Sequence, residues 1–270
     1  MAFRPLVLAC IAAIGLAGAA LAPSRAQQAA QPPAASTANV SADERGRIEA
    51  IVREYLLRNP EVLQEALVEL EKRQAQAEER SRATAFQANR ELLYRSPNQV
   101  VLGNPQGDVT LVEFFDYNCG FCKRALAETL DLLRADPRIR LVLKDFPVLS
   151  QGSVEAAQVA VALKMQIQGP KYMEFHTKLL GGRGQADRAR ALDVAREVGA
   201  DMTRLQRDLG SAQVRDTLAE NARLAELLRI NGTPTYIVGD EVVVGAVGID
   251  KLRENIVRAR ATCAVQVGVC

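Results

Sequence analysis

Two cysteines three residues apart are the residues of this sequence whose types and spacing could do chemistry. Cys119 and Cys122 lie in the stretch LVEFFDYNCGFCKRAL, residues 111 to 126, after an apolar run and before helix-forming residues. Such a pair can be a redox disulfide, half of a metal site or a plain structural disulfide. The choice depends on the elements that position the pair.

Strand and helix patterns alternate around the cysteines. The β-rich runs QVVLG and VTLVEFF precede the helical run CKRALAETLDLLRAD, and the strand pattern RIRLVLKDF follows it. A strand-helix-strand unit with a CxxC motif at the start of its helix is typical of thioredoxin-like redox proteins. The later runs TPTYIVG and EVVVGAV predict a hairpin that turns at Gly239-Asp240. The sequence therefore predicts an α/β, thioredoxin-like fold over 96–270, interrupted by a helical insertion at about 150–230.

The position of Cys119 at a helix N-terminus favours redox chemistry. Unpaired backbone N–H groups and the positive end of the helix dipole stabilise a thiolate there, so we predict that Cys119 is the nucleophile. Cys122, one turn further on, can attack a mixed disulfide at Cys119 and release the partner. A zinc site would need two more ligands, and a structural disulfide between adjacent turns would constrain little of the fold.

The N-terminus predicts export. A short basic start, an apolar run from Pro5 to Ala22 and the small residues at Ser24 and Ala26 indicate a signal peptide over 1–26 and a periplasmic location. An uncleaved membrane anchor is the alternative, because the apolar run approaches the length of a membrane span. Residues 27–40 are rich in Gln, Ala and Pro and predict a disordered lead-in.

The composition excludes some classes of function. Nearly half of the 270 residues are hydrophobic and 24% are charged, which fits a globular protein. The formal net charge of +2 comes with no basic run, which argues against nucleic acid as a partner. His176 is the only histidine and is predicted to be structural, and we identify neither a metal site nor a cofactor motif.

Residues 41–95 predict helices that lie outside the thioredoxin-like domain. Ser41 with Glu44 predicts a helix start, and apolar residues then recur at helical spacing from Ile48 to Leu70. From residue 71 to about 94 the apolar stripe thins, which indicates a solvated connecting helix. We expect the stripe to drive self-association, with a trimer as the candidate number. Packing of the stripe onto the same chain's catalytic domain is the alternative.

Two segments carry a family resemblance. Residues from about 99 to 260 resemble the DsbA family of periplasmic thiol–disulfide oxidoreductases, through VEFFDYNCGFCK, LVLKDFPVLS, KYMEFHTKLL and INGTPTYIVG. Residues from about 43 to 75, with YLLRNPEVLQEALVELEKRQ, resemble the N-terminal segment of the Scs-type (suppressor of copper sensitivity C) subgroup. The resemblance implies that this segment drives oligomerisation, as in a subgroup that includes disulfide isomerases. Gly120-Phe121 stands where DsbA itself has Pro-His.

The resemblance also implies site residues beyond the cysteines. Thr233-Pro234 would form a cis-proline loop beside the active-site disulfide, where the backbone can pair with an extended substrate. Glu113 matches a buried acid six residues before the first cysteine, with Lys144 as its expected partner. Such a carboxylate could shuttle protons for Cys122. A purely structural Glu113–Lys144 ion pair is the alternative.

The sequence thus predicts a periplasmic enzyme that forms or isomerises disulfides in exported proteins. Its partners would be unfolded or misoxidised exported proteins and a membrane redox protein, either a DsbB-like oxidant or a DsbD-like reductant. The competing class is a periplasmic dithiol protein that binds copper or a partner, with the two thiols as soft Cu(I) ligands and without exchange catalysis. The direction of electron flow does not follow from the motif.

Cys263 and Cys270 predict a structural disulfide rather than a second redox centre. On a continuous helix seven residues span about 10.5 Å, beyond the ~7 Å over which two Cα atoms can be bridged, so the tail must leave the helix. We expect tryptic mass spectrometry without reductant to find the two peptides joined. Two free thiols in that experiment would contradict the pairing.

Overall fold

The computed structural model describes residues 41–265 and divides the chain into two compact units, Met1–Ala66 and Leu67–Cys270. The predicted signal peptide, the predicted lead-in at 27–40 and Cys270 lie outside the described residues, and so does the side chain of Cys263. The predicted Cys263–Cys270 disulfide therefore stays a prediction. None of the helices between residues 41 and 265 combines the length and apolar character that a membrane span requires.

The first unit contains helix α1 (Ala42–Arg58) and the start of α2 (Glu61–Ala88). The hydroxyl oxygen of Ser41 accepts a hydrogen bond from the backbone N–H of Glu44 at 3.2 Å, so α1 starts where the sequence predicts. The apolar stripe of α1 is exposed. Its side chains Ile48, Ile51, Val52 and Tyr55 are each about half exposed or more.

The second unit is built on a five-stranded sheet in the order β1-β3-β2-β4-β5. The strands are β1 (Val100–Gly103), β2 (Val109–Phe115), β3 (Ile139–Asp145), β4 (Thr235–Val238) and β5 (Glu241–Val244). The helices that follow α2 are α3 (Arg90–Arg95), α4 (Gly120–Ala135), α5 (Gln151–Lys164), α6 (Gly169–Leu180), α7 (Arg188–Glu197), α8 (Met202–Asp208), α9 (Ala212–Leu227) and α10 (Ile249–Val265).

The predicted strand-helix-strand unit is confirmed. Strands β2 and β3 are parallel and α4 connects them, while β1, β4 and β5 pair antiparallel with their neighbours. Every residue of β2 is buried, because helices cover both faces of the sheet. Alternate residues therefore enter two cores, Leu111 and Phe115 on one face and Val112 and Phe114 on the other.

The predicted helical insertion between β3 and β4 consists of α5 to α9. Breaks between its helices fall at or beside glycines. Helix α6 begins at Gly169 with Pro170 in its first turn and ends at Leu180. The next residue is Gly181. A Cβ atom there would come within 2.8 Å of the Thr177 carbonyl oxygen, so glycine fits at this helix end.

The core that contains Val112 and Phe114, the second core, includes residues from the segment predicted to be a solvated connecting helix. Most of α2 after residue 66 is exposed, but Phe86 near its end is only 2% exposed. Leu93 and Tyr94 on α3 are at most 1% exposed. They pack with Phe114 and Ile237, and the rings of Phe86 and Tyr94 lie 6.1 Å apart in an edge-to-face arrangement. Packing against the sheet thus starts before residue 96, where the sequence places the beginning of the domain.

We predict that Phe86→Ala lowers the free energy of unfolding by about 3 kcal/mol, because it removes a fully buried ring from this core. Leu92→Ala on α3 is the control, since Leu92 is 44% exposed and its loss should cost under about 0.5 kcal/mol. Urea denaturation measures both values. Equal losses for the two variants would show that the end of α2 does not support the core.

Candidate functional site

The sulfur of Cys119 is the N-cap of helix α4. The backbone N–H of Cys122 donates to the Cys119 Sγ at 3.4 Å, while the Cys119 N–H donates to the Asp116 carbonyl oxygen at 3.0 Å. The sulfur thus occupies the position that a serine or aspartate oxygen takes in other helices. The Cys122 N–H and the positive end of the helix dipole are therefore both directed at the Cys119 sulfur.

The predicted proline loop lies against the same sulfur. The Thr233–Pro234 peptide bond is cis, and the Cys119 Sγ donates a hydrogen bond to the Thr233 carbonyl oxygen at 3.1 Å. The hydroxyl of Thr235, the first residue of β4, donates to the Gly232 carbonyl oxygen at 2.8 Å and holds the turn. Residues 114 positions apart in the chain are thereby joined at one point.

The two cysteines, both free thiols here, differ in environment. Cys122 is completely buried, whereas Cys119 reaches the surface with 5% of its area. Burial raises the pKa of Cys122 far above its ordinary value, and the charge of Glu113 raises it further, while a backbone hydrogen bond from Asp116 opposes the shift. Cys122 is therefore protonated at neutral pH and needs a base before it can attack.

Glu113 is the buried acid next to Cys122. Its side chain is 2% exposed, and the Tyr236 hydroxyl donates to its Oε1 at 3.3 Å. Burial raises the pKa of Glu113 to about 7, although the Tyr236 hydrogen bond partly opposes this. The carboxyl group can therefore bind and release a proton near neutral pH.

The expected pairing of Glu113 with Lys144 is wrong. Glu113 lies opposite Leu143 in the parallel register, so Lys144 points to the other face of the sheet. There its Nζ is 3.5 Å from the Glu220 carboxylate and donates to the Leu92 carbonyl oxygen at 2.9 Å. Lys144 is part of the packing of α3 and α9 and does not belong to the cysteine site.

Three polar residues that the sequence reasoning missed hold the motif in place. Asp116 accepts backbone N–H bonds from Asn118, Val148 and Leu149 at 2.7 to 3.1 Å and so ties the loop after β3 to the start of the motif. An aspartate in a turn before a helix is the signal that could have identified it. The other two residues, Asn118 and Lys123, have partners that are distant in sequence.

Asn118 and Lys123 fasten the motif to the helical insertion. The Asn118 amide exchanges two hydrogen bonds with the backbone of Ala186, at 2.7 and 2.8 Å, and donates to the Ser153 hydroxyl at 3.1 Å. The Lys123 Nζ donates to the carbonyl oxygens of Gly182 and Gly184 at 3.1 and 3.0 Å. The insertion thus fixes residues on both sides of Cys119.

A buried layer of polar rings lies under the motif. His176 is 2% exposed, its Nδ1 is 3.4 Å from the Tyr117 hydroxyl, and its ring packs edge-on against Phe115 at 4.8 Å. Burial lowers the pKa of His176 to about 3, so the ring is neutral. These contacts agree with the structural role predicted for it.

Exposed apolar side chains lie in the motif and in the loop that is tied to it. Phe121, between the cysteines, is 57% exposed, and the Arg124 guanidinium lies 4.2 Å above its ring. Val148 and Leu149 are also half exposed, in the loop that Asp116 holds. No group of three or more His, Cys, Asp or Glu side chains within residues 41–265 is arranged to hold a metal ion.

Comparison with known proteins identifies the family. The model of the DSBA-like thioredoxin domain matches residues 110–257, more than half of the chain. The chain belongs to this family. The model of the copper resistance protein ScsC N-terminal domain matches residues 44–77, which include the exposed stripe of α1 and the start of α2.

Individual relatives agree with this assignment. A thioredoxin-like oxidoreductase from Silicibacter pomeroyi is 46% identical, with a TM-score of 0.61 over 64% of this chain and 98% of that one. A linker-deletion variant of Proteus mirabilis ScsC is 25% identical, with a TM-score of 0.62 over 84% of this chain and 100% of that one. The thiol:disulfide interchange protein DsbA of Bordetella pertussis is 25% identical over 61% of this chain and 79% of its own length.

Longer proteins match the same domain. A Na⁺/H⁺ antiporter, NhaA 1 of Salinispora arenicola, is 29% identical over 60% of this chain, and the match spans 24% of the antiporter. The chain thus spans about a quarter of the length of the first curated relatives that it matches.

We predict that Glu113→Gln changes how stability depends on pH. The folded pKa of about 7 exceeds the ordinary 4.5, so the native state binds the extra proton between these values and the unfolding free energy falls as pH rises. Relative to wild type, the reduced variant should gain on the order of 3 kcal/mol between pH 4.5 and 8. Urea denaturation measures the difference, with the exposed Glu91→Gln as control. Parallel profiles for wild type and Glu113→Gln would contradict the assignment.

Proposed function

We propose that this protein is a thiol–disulfide oxidoreductase that acts on disulfides of exported proteins through Cys119 and Cys122. The supporting observation is the pair of contacts at one sulfur, which accepts the Cys122 N–H and lies 3.1 Å from the Thr233 carbonyl oxygen. The first contact directs a helix N–H at the sulfur, and the second supports the proposal that a substrate backbone lies beside the reacting atom.

The exchange proceeds in two displacements at sulfur. The Cys119 thiolate attacks one sulfur of a substrate disulfide, forms a mixed disulfide and expels the other substrate sulfur as a thiolate. If Cys122 then attacks Cys119, the substrate leaves reduced and the protein keeps the disulfide. If another substrate thiolate attacks instead, the substrate is isomerised and Cys119 is regenerated. Oxidation of a substrate dithiol is the reverse of the first route.

Glu113 is proposed as the proton acceptor for Cys122. The Cys122 thiol must lose its proton to close the disulfide, and burial makes this loss unfavourable without a base. The Glu113 carboxyl has a pKa of about 7 and lies on the face of β2 that is directed towards Cys122, where Tyr236 holds it. It can therefore take up the proton as the disulfide closes and return it as the disulfide opens.

The surface around Cys119 suits an extended, partly apolar polypeptide. The backbone of Thr233 and Pro234 offers strand-type pairing. Phe121, Val148 and Leu149 offer contacts that depend little on substrate sequence. Unfolded or misoxidised exported proteins expose such segments, and we propose them as substrates. A membrane oxidant or reductant in the periplasm would return the pair to its working redox state.

We predict opposite phenotypes for the two serine variants in refolding of scrambled ribonuclease. Cys119→Ser should lose at least about 100-fold in exchange rate, because an alcohol does not replace the thiolate. Cys122→Ser should still attack but accumulate mixed disulfides, which are visible on non-reducing gels. Mixed disulfides accumulating on Cys119→Ser instead would reverse the assignment, and full activity of both variants would refute the proposed function.

Self-association through the first unit is proposed as the basis of isomerase activity. The apolar side chains of α1 are exposed in the single chain, and the ScsC N-terminal model matches this region. Several active sites facing one substrate would raise the local thiol concentration and favour repeated attack on wrong disulfides. A trimer is the proposed number of copies.

We predict that removal of residues 27–66 yields a monomer that still oxidises and reduces thiols but loses isomerase activity. The deletion ends at the boundary of the first unit and spares Phe86, whose loss would open the second core. Light scattering measures the mass, and scrambled-ribonuclease refolding measures isomerisation. A truncated protein that stayed oligomeric, or a monomer with full isomerase activity, would contradict this role.

Copper binding is the second candidate function, and the match to the copper resistance protein ScsC N-terminal domain favours testing it. Two thiolates one helical turn apart can serve as soft Cu(I) ligands. Copper binding would be favoured over thiol–disulfide exchange if the wild-type protein bound Cu(I) tightly and did not exchange disulfides with model substrates.

A further inference from the structure

A cavity of about 320 Å³ lies at the free edge of the sheet, beside β1. It is lined by the loop that connects α3 to β1, by the start of β3 and by the end of α5. Its apolar wall includes Val100, Ile167 and Tyr172. The cavity shares no lining residue with the cysteine site, so the redox chemistry proposed above does not account for it.

Three cationic side chains line this cavity: Arg95, Arg140 and Lys164. No carboxylate is among the lining residues, and no ion pair engages any of the three within residues 41–265. Glu220 faces Lys164 from α9, but its carboxylate is 3.5 Å from the Nζ of Lys144. The lining of the cavity therefore carries a net positive charge.

The charged forms of two of these side chains are destabilised by their surroundings. Burial lowers the pKa of both Arg140 and Lys164, and the charge of Arg95 lowers that of Arg140 further. Arg140 donates to the Tyr94 carbonyl oxygen at 2.9 Å, and Lys164 donates to that of Pro97, which leaves the remaining N–H groups of both side chains for other partners. A bound anion would relieve the mutual repulsion.

We propose that this cavity binds a small organic polyanion that carries several carboxylates. The carboxylates would lie against Arg95, Arg140 and Lys164. The volume is at the lower end of the range for small-molecule sites, about 300 Å³ and upward, which suits a ligand of roughly a dozen heavy atoms. The site is independent of the proposed exchange activity.

Isothermal titration calorimetry of the full chain with citrate tests this proposal. We expect saturable binding that weakens with added NaCl, since the attraction is between charges. Propane-1,2,3-tricarboxylate, which has the same three carboxylates, should bind with similar affinity. Inorganic phosphate should bind more weakly than either.

Variants locate the binding. Arg95→Gln and Lys164→Met should each weaken citrate binding at least about fivefold, because each removes one charge-assisted contact. Lys171→Met, an exposed lysine outside the cavity, should leave it unchanged, and so should Cys119→Ser. Absence of citrate binding at millimolar concentration, equal binding of phosphate, or citrate binding that survives Arg95→Gln and Lys164→Met in folded protein would overturn the proposal.

Discussion

The hydrogen bond from the Cys122 N–H to the Cys119 sulfur exists because α4 begins one residue after the first cysteine. That start is fixed from both sides. Strand β2 is buried on both faces and ends at Phe115, and Asp116 then closes the turn by accepting the Asn118 N–H. The Cys119 sulfur is left at the start of the helix, where it is partly accessible, whereas the Cys122 sulfur one turn further on is completely buried.

The rest of the unit holds this junction in place. Asn118 and Lys123 tie it to the helical insertion, and the cis-proline loop brings the Thr233 carbonyl oxygen to the sulfur from β4. Glu113 reaches the buried thiol because β2 alternates its side chains between the two faces of the sheet. The insertion is therefore part of the site as well as a cover for one face of the sheet.

Local patterns in the sequence predicted much of this structure. The alternation of β2, α4 and β3 and the hairpin at Gly239-Asp240 depend on neighbouring residues, and both are confirmed. The pairing of Glu113 with Lys144 failed because it needs the register of two strands, and a shift of one residue reverses the face. Asn118 and Lys123 were missed because their partners lie about 60 residues further along the chain. Phe86 was missed because one aromatic in a charged helix shows no periodicity.

The central claim is that Cys119 is the attacking thiol and Cys122 the protected one. Iodoacetamide labelling of the reduced, folded protein, followed by peptide mapping over time, measures this difference directly. We predict that Cys119 is alkylated first and that Cys122 reacts at least about 100-fold more slowly until the protein is unfolded. Equal labelling of the two cysteines, or faster labelling of Cys122, would contradict the account.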